Sequence, residues 1–331
     1  MREVRVRQVD AFTNERFRGN PAGVVLHADD LTPSNMQLIA REMNLSETAF
    51  VTHPAPTSGA DFGVRFFTPQ TEVPFCGHAT VATFFSLAEE GMLPATGPVV
   101  TVRQKTGAGV LPVHVHFGEN KTPAMVMMEQ NPPMTRPSAL DPESIAPVLG
   151  VRPDDICGGP MGLCNTGNWH LFVPLRRDRF SSLQVDLERL AKLNREVGAI
   201  TTHLYCFLSP GGTVQLHTRD FAPAVGVAED PVTGSASGAL AGFLSLCAYD
   251  PYAAAIWPAG ASRVELARFL EKHTLQLPRA ETVLVKLNME QGKEIGRDGL
   301  VFTEVEISGS RVKTVRAGGQ AVTVMDAVMY V

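Results

Sequence analysis

Gly77-His78-Ala79-Thr80-Val81-Ala82-Thr83-Phe84-Phe85-Ser86-Leu87-Ala88 reads as a helix that is apolar or small almost all round, ended by Glu89-Glu90-Gly91 with the glycine just past the last turn. Such a helix must be buried on every side. Gly234-Ser235-Ala236-Ser237-Gly238 opens a second helix of this kind, running to about Cys247. Their approaches match as well: Arg65-Phe66-Phe67-Thr68-Pro69 precedes Gly77 as Arg219-Asp220-Phe221-Ala222-Pro223 precedes Gly234. The spacing is 154 residues between the arginines and 157 between the glycines, so the second loop is longer by three. An internal duplication is the economical explanation. The fold class that follows is α+β, with two pseudo-symmetric domains, each a curved sheet or barrel around a central buried helix.

Working outward, Val4–Ala11 reads as a strand, and Arg18-Gly19-Asn20-Pro21-Ala22-Gly23 as turn chemistry before a second apolar run, Val24–Leu26. Thr32 and Pro33 are an N-cap and first-turn pair for a helix whose Met36, Ile39, Ala40 and Met43 recur at helical spacing, closed by Asn44. Leu45–Val51 alternates, which in an extended chain puts Leu45, Glu47, Ala49 and Val51 on one face. Further strands are expected at 62–67, 99–102, 109–116 and 124–129, and in the second half at 169–173, 204–208, 214–218 and 301–307, with a hairpin turn at Gly318-Gly319. Proline-rich Asn131–Pro137 is the best linker. The expected domains are 1–130, with central helix 77–90 and a final strand near 322–331 that returns to it, and 139–321, with central helix 234–247.

The 331 residues, 44% of them hydrophobic, suffice for two ordinary cores. With 19% charged residues and a net charge of −5, neither a disordered chain nor a nucleic-acid binder is favoured. The opening MREVRVRQVD has no apolar stretch behind it, and apolar runs such as 81–88 fall far short of the roughly 20 residues that span a bilayer, so no membrane partner is expected. Five cysteines, an odd set without a CxxC pair, argue against a disulfide framework and fit a reducing cytoplasm.

The loop-to-helix junctions are where chemistry is expected. A helix start built of small residues presents free N–H groups and a partial positive charge, a socket for a carboxylate or phosphate. Gly77 and Gly234 suit that role, and equally suit close packing of a helix entering its sheet. Glu47, on the apolar strand face, would lose hydration, which favours its neutral form and lets it both accept and give a proton near neutrality. A reversed face would instead leave it in solvent. Asp230, held extended by Pro231, is a site residue or a capping aspartate; His78 is a site residue or a cap for its own helix. Cys76 is a thiolate activated by a helix start or an inert buried thiol. His114 and His116 share a strand face but lack a third metal ligand, and no phosphate or dinucleotide loop appears, so neither metal nor organic cofactor is expected.

Asp10-Ala11-Phe12, Gly19-Asn20-Pro21-Ala22-Gly23-Val24, Leu45-Ser46-Glu47-Thr48-Ala49-Phe50, Phe67-Thr68-Pro69, Glu72-Val73-Pro74-Phe75-Cys76-Gly77-His78-Ala79-Thr80 and Asp230-Pro231-Val232-Thr233-Gly234-Ser235-Ala236 together closely resemble the PhzF family of phenazine-biosynthesis-like isomerases. The resemblance implies the diaminopimelate-epimerase-like fold, with the active site in the cleft between two domains, and a homodimer. It makes Glu47 the proton-shuttling acid/base, with His78, Asp230 and Ser235 its polar partners. Gly77 and Gly234 fall at the helix starts that hold the substrate carboxylate, and Asn20 near the same cleft. Gly167-Asn168-Trp169-His170 is similar to a Gly-Asn-Pro-His segment of related epimerases, which makes Asn168 a substrate contact. Gln291-Gly292 and Gly296-Arg297 are similar to a family motif that usually continues Pro-Ser, where Asp298 and Gly299 stand here.

Epimerases of this fold place a cysteine at each junction. Here the first position is Cys76 and the second Thr233, whose hydroxyl is far too weak an acid to replace a thiol. The expected activity is therefore a cofactor-independent isomerisation: Glu47 moves a proton within a small carboxylated, conjugated substrate. Two rivals stay open, a racemase or dehydratase using Cys76 and a non-catalytic metabolite-binding protein.

Overall fold

A computed structural model of the chain describes residues 2–136, 138, 140–208, 212–250, 262–278 and 281–331. The chain divides into two compact units, Met1–Glu129 with Gly318–Val331, and Gln130–Ala317.

In the first unit, β1 (Glu3–Ala11) pairs antiparallel with β2 (Asn20–Val25). Helix α1 (Pro33–Met43) then crosses over to β3 (Thr48–Thr52), parallel to β2. Strand β4 (Phe62–Phe67) returns antiparallel to β3, with the short β5 (Glu72–Val73) against it. Helix α2 (Gly77–Glu89) leads to β6 (Val99–Thr106), parallel to β4, and then β7 (Gly109–Phe117) and β8 (Pro123–Gln130) follow antiparallel in turn. Thr32 caps α1, accepting from Asn35 N while the Asn35 side chain reaches back, and Asn44 closes the helix in the left-handed region. Met36, Ile39 and Ala40 of α1 pack with Val4, Val25 and Phe50.

Helix α2 is buried from His78 to Ala88. Two of its polar residues are accommodated because the Thr80 and Thr83 hydroxyls donate to Cys76 O and Ala79 O, each at 2.7 Å, whereas the buried Ser86 hydroxyl has no partner among the described residues.

The second unit repeats the plan. Strand β9 (Met134–Arg136) and helix α3 (Pro142–Leu149) precede β10 (Gly162–Asn165), β11 (Trp169–Pro174), α4 (Leu187–Val197), β12 (Thr201–Phe207), β13 (Leu216–Ala222) and β14 (Val227–Asp230). Then come α5 (Gly234–Tyr249), α6 (Arg263–Glu271), β15 (Thr274–Gln276), β16 (Thr282–Gln291), β17 (Gly299–Ser308) and β18 (Arg311–Gly319). The run β10, β11, β12, β13, β16, β17 is paired antiparallel, parallel, antiparallel, parallel, antiparallel. That is the sense and order of β1, β2, β3, β4, β6, β7. Helix α5 touches β10, β11, β16, β17 and α6. On β11, Phe172 packs with Leu240 and Phe243 of α5, while its neighbours Leu171 and Val173 pack with α3 and α4 residues such as Leu149 and Leu190. Both faces of this sheet are covered, which explains runs without a polar alternation.

The last strand, β19 (Ala321–Tyr330), pairs antiparallel with β1. Helix α2 therefore touches β1, β2, β3, β7 and β19, strands from well-separated parts of one curved sheet. No helix among the described residues is long and apolar enough to cross a membrane.

Several local expectations are corrected. The turn read at Arg18–Gly23 is shorter, because the strand already starts at Asn20. The linker at Asn131–Pro137 contains β9, which pairs with β10; Pro137, like the expected domain start at 139, lies outside the described residues. The strand read from Val214 starts at Leu216. Gly318 and Gly319 end β18 rather than forming a hairpin turn, and residues 318–321 group with the first unit instead of the second. Gly318 is required by proximity: a Cβ there would overlap Val126 O and Met127.

Candidate active site

Glu47 does not lie on the strand. Thr48 to Val51 are all buried, since both faces of β3 are covered, and regular pairing starts one residue after Glu47. The Glu47 backbone is still anchored, its carbonyl accepting from Gly23 N at 3.1 Å, and its side chain is 20% exposed, a loop carboxylate at the rim of the sheet. Its Oε2 lies 3.3 Å from Nε2 of His78, in the first turn of α2. Cys76 Sγ lies 3.4 Å from Nδ1 and 3.9 Å from Nε2 of the same ring. Burial pushes the His78 pKa down, and the nearby Glu47 carboxylate opposes that shift without cancelling it, so the ring is neutral at physiological pH. Three chemically different groups thus converge where α2 begins. Asn20 is buried at the start of β2, the strand whose Gly23 holds Glu47.

The second junction has its own polar clamp. The Thr233 hydroxyl donates to Oδ2 of Asp230. Gln291, 1% exposed at the end of β16, accepts from Thr233 N at 3.2 Å and donates to Asp230 O at 2.9 Å and Thr233 Oγ1 at 3.1 Å. Gln130 donates to Gly234 O at 3.1 Å and accepts from the Thr166 hydroxyl at 2.7 Å. Ser237 donates to Thr233 O, as Thr80 does to Cys76 O in the first copy. Ser235 is half-buried in the first turn of α5, and Asn168 is exposed in the turn between β10 and β11. Gly292 adopts φ +88°, and a Cβ there would meet Pro231 O, which explains the glycine of the Gln291-Gly292 pair.

The helix starts differ from the others in one respect. Thr32, Asp141, Asp186 and Ser262 cap α1, α3, α4 and α6 with side-chain oxygens, whereas Cys76 and Thr233 give α2 and α5 no side-chain cap. In the second case the reason is visible: the hydroxyl that would cap is committed to Asp230. The first-turn N–H groups of both central helices therefore receive no side-chain cap.

Sequence reading missed Gln130 and Gln291 as clamps, and it missed a duplicated lock. Arg65 holds Glu72 through Nε and Nη2, both at 2.8 Å, and lies over the Phe67 ring; Arg219 holds Glu229 with the same two distances and lies over Phe221. Each lock ties two paired strands ahead of the central helix, β4 to β5 and β13 to β14. The 157-residue spacing that relates Gly77 to Gly234 also relates Glu72 to Glu229, a signal present in the sequence. His114 is held by Thr101 and Glu129, and the only group of three or more metal-ligating side chains among the described residues is Glu47, Cys76 and His78.

A family model described as phenazine biosynthesis-like protein matches residues 9–256. The chain belongs to the PhzF family. It is 32% identical over 332 residues to an uncharacterized isomerase of Clostridium acetobutylicum, covering 98% of this chain and 97% of that one. It is 30% identical over 317 residues to a trans-2,3-dihydro-3-hydroxyanthranilate isomerase of Pseudomonas fluorescens, covering 95% of each. The crystal structure of a PhzF-family phenazine biosynthesis protein of Bacillus anthracis superposes with a TM-score of 0.80 at 30% identity over the whole of both chains. The PhzF resemblance and the expected two-domain epimerase-like fold are therefore both found.

Proposed function

We propose that this PhzF-family protein is an isomerase that moves a proton between two carbons of a small, carboxylated, conjugated substrate, with Glu47 as the proton carrier. The observation that carries the reading is the Glu47 carboxylate 3.3 Å from the buried, neutral His78 imidazole at an uncapped helix start. In the proposed reaction the Glu47 carboxylate takes a C–H proton, and the electron pair spreads into the conjugated system. The Glu47 carboxylic acid exchanges with solvent and then delivers a proton to another carbon, so substrate and product have the same composition. His78 and Asp230 polarise a hydroxyl or amino substituent. The N–H groups at Gly77, Gly234 and Ser235 hold the carboxylate, with Asn20 and Asn168 as further contacts.

Two features favour one carboxylate over a pair of thiols. Position 233 carries a hydroxyl already bonded to Asp230, and Glu47 is the only carboxylate in the group at the α2 start. The Pseudomonas fluorescens relative makes trans-2,3-dihydro-3-hydroxyanthranilate the first compound to try. The test is proton NMR of that compound and related small conjugated acids in D2O with the metal-free protein. The expected result is product carrying solvent deuterium at one carbon, with Cys76→Ser still turning over. Loss of turnover in Cys76→Ser would move the assignment to the thiol.

A further inference from the structure

We propose that Glu47, Cys76 and His78 form a binding site for a borderline-soft divalent cation, Zn2+ or Co2+, that occupies the groups needed for proton transfer. Metal binding stands on geometry and ligand chemistry alone; the inhibition it causes rests on the function proposed above. Each residue offers one ligand atom, and the three atoms lie within 4.8 Å of one another. From Nε2 of His78 the distances are 3.3 Å to Oε2 of Glu47 and 3.9 Å to Sγ of Cys76. In a tetrahedral zinc site, with Zn–S of ~2.3 Å and Zn–N or Zn–O of ~2.0–2.1 Å, ligand atoms sit about 3.3–3.6 Å apart. The Nε2–Oε2 side already has that spacing; the Nε2–Sγ side must shorten by a few tenths of an ångström and the Glu47–Cys76 side by at most about 1.3 Å, which a rotation of the two side chains supplies.

The donor set also selects. One thiolate, one imidazole and one carboxylate suit Zn2+ or Co2+, whereas Mg2+ and Ca2+ require an oxygen shell that this junction lacks. Three protein ligands leave the fourth position to water. The start of α2 has two opposed effects. Its partial positive charge disfavours a cation, while the same field lowers the cost of forming the thiolate. The thiolate is the stronger influence because it bonds the ion directly. On binding, the Cys76 S–H bond breaks and its proton leaves to buffer, as the sulfur, an imidazole nitrogen, a Glu47 oxygen and one water close around the ion. No electron changes hands. With its lone pair bound to metal, Glu47 can no longer accept a C–H proton.

The test is a titration of the full chain, stripped with chelator, by Co2+. The expected result is one ion per chain, with the visible bands of tetrahedral cobalt, a near-ultraviolet thiolate-to-cobalt charge-transfer band, and loss of both on adding Zn2+. Cys76→Ser removes the charge-transfer band, His78→Gln weakens zinc binding by at least about tenfold, and Cys157→Ser, at the exposed cysteine, changes neither. Zinc K-edge absorption of the unmutated protein, which does not depend on any variant folding, is expected to show one sulfur at ~2.3 Å. A zinc shell without sulfur, or a charge-transfer band that survives in Cys76→Ser, overturns the site. Bound zinc that leaves turnover unaffected upholds the site and refutes Glu47 as the carrier.

Discussion

The duplicated Arg–Glu lock supplies a test with its own internal control. Glu229→Gln and Glu72→Gln make the same chemical change at equivalent positions of the two copies, but the copies differ in burial. The Arg219–Glu229 side chains are 10% and 13% exposed, against 33% and 44% for Arg65–Glu72. Removing one partner of a buried pair leaves the other charge uncompensated and costs about 3–5 kcal/mol, whereas an exposed pair is worth about 0–1 kcal/mol. Arg219 keeps the Phe180 carbonyl as an acceptor, which puts Glu229→Gln at the lower end, about 3 kcal/mol. Because each lock tethers a short strand, β5 or β14, to the strand before it, the loss is local. Native-state hydrogen exchange read by mass spectrometry is the assay. Amides of 227–238 in Glu229→Gln are expected to exchange about a hundredfold faster, and those of 70–81 in Glu72→Gln no more than about fivefold faster. Equal acceleration in the two copies would refute the argument that burial sets the strength of the lock.

Two other consequences are accessible to stability measurements. Gln291→Leu keeps the volume of a buried side chain but removes three hydrogen bonds to Asp230 and Thr233; a loss of about 3 kcal/mol in urea unfolding is expected, and an unchanged midpoint would show that the clamp contributes nothing. His217 lies between Glu290 and Glu294, at 3.0 and 2.9 Å. Burial works against its charge, but the two carboxylates raise its pKa above the usual histidine value; burial would likewise raise Glu290, yet hydrogen bonds from His217 and Lys293 hold it at about 2. The histidine contribution is complete below its ordinary pKa and fades as pH rises through the raised one. The glutamate contribution is present above the ordinary carboxylate range and fades as pH falls toward about 2. His217→Asn should therefore cost most between about pH 5 and 6.5, and a cost independent of pH would contradict the pairing.

Much of the fold is legible in the sequence where interactions are local. Thr32-Pro33 and Asn44 mark both ends of α1 because capping is decided within a few residues. Gly77 and Gly234 mark the central helices because a segment apolar on all sides has only one place to go. What was not legible depends on partners distant along the chain. The alternation of Leu45–Val51 places Glu47 on a strand face, but alternation carries little information where both faces are buried. Gln291 reaches Thr233 from 58 residues away, and nothing near either residue signals the bond. Strand β9 was hidden by the surrounding prolines, and Gly318 looked like turn chemistry when it answers the approach of β8. At the site, local sequence singled out Glu47 and His78, but not that Cys76 and Glu47 both close on one imidazole.

The most direct measurement is the rate of carbon-bound hydrogen exchange in a turned-over conjugated acid, compared between the unmutated protein and Glu47→Gln, a change that keeps the side chain's size and its reach toward His78. With a single carboxylate moving the proton, the variant should lose at least about a hundredfold in kcat/KM while its thermal unfolding stays close to that of the parent. Exchange by a folded Glu47→Gln at the parental rate would contradict the assignment.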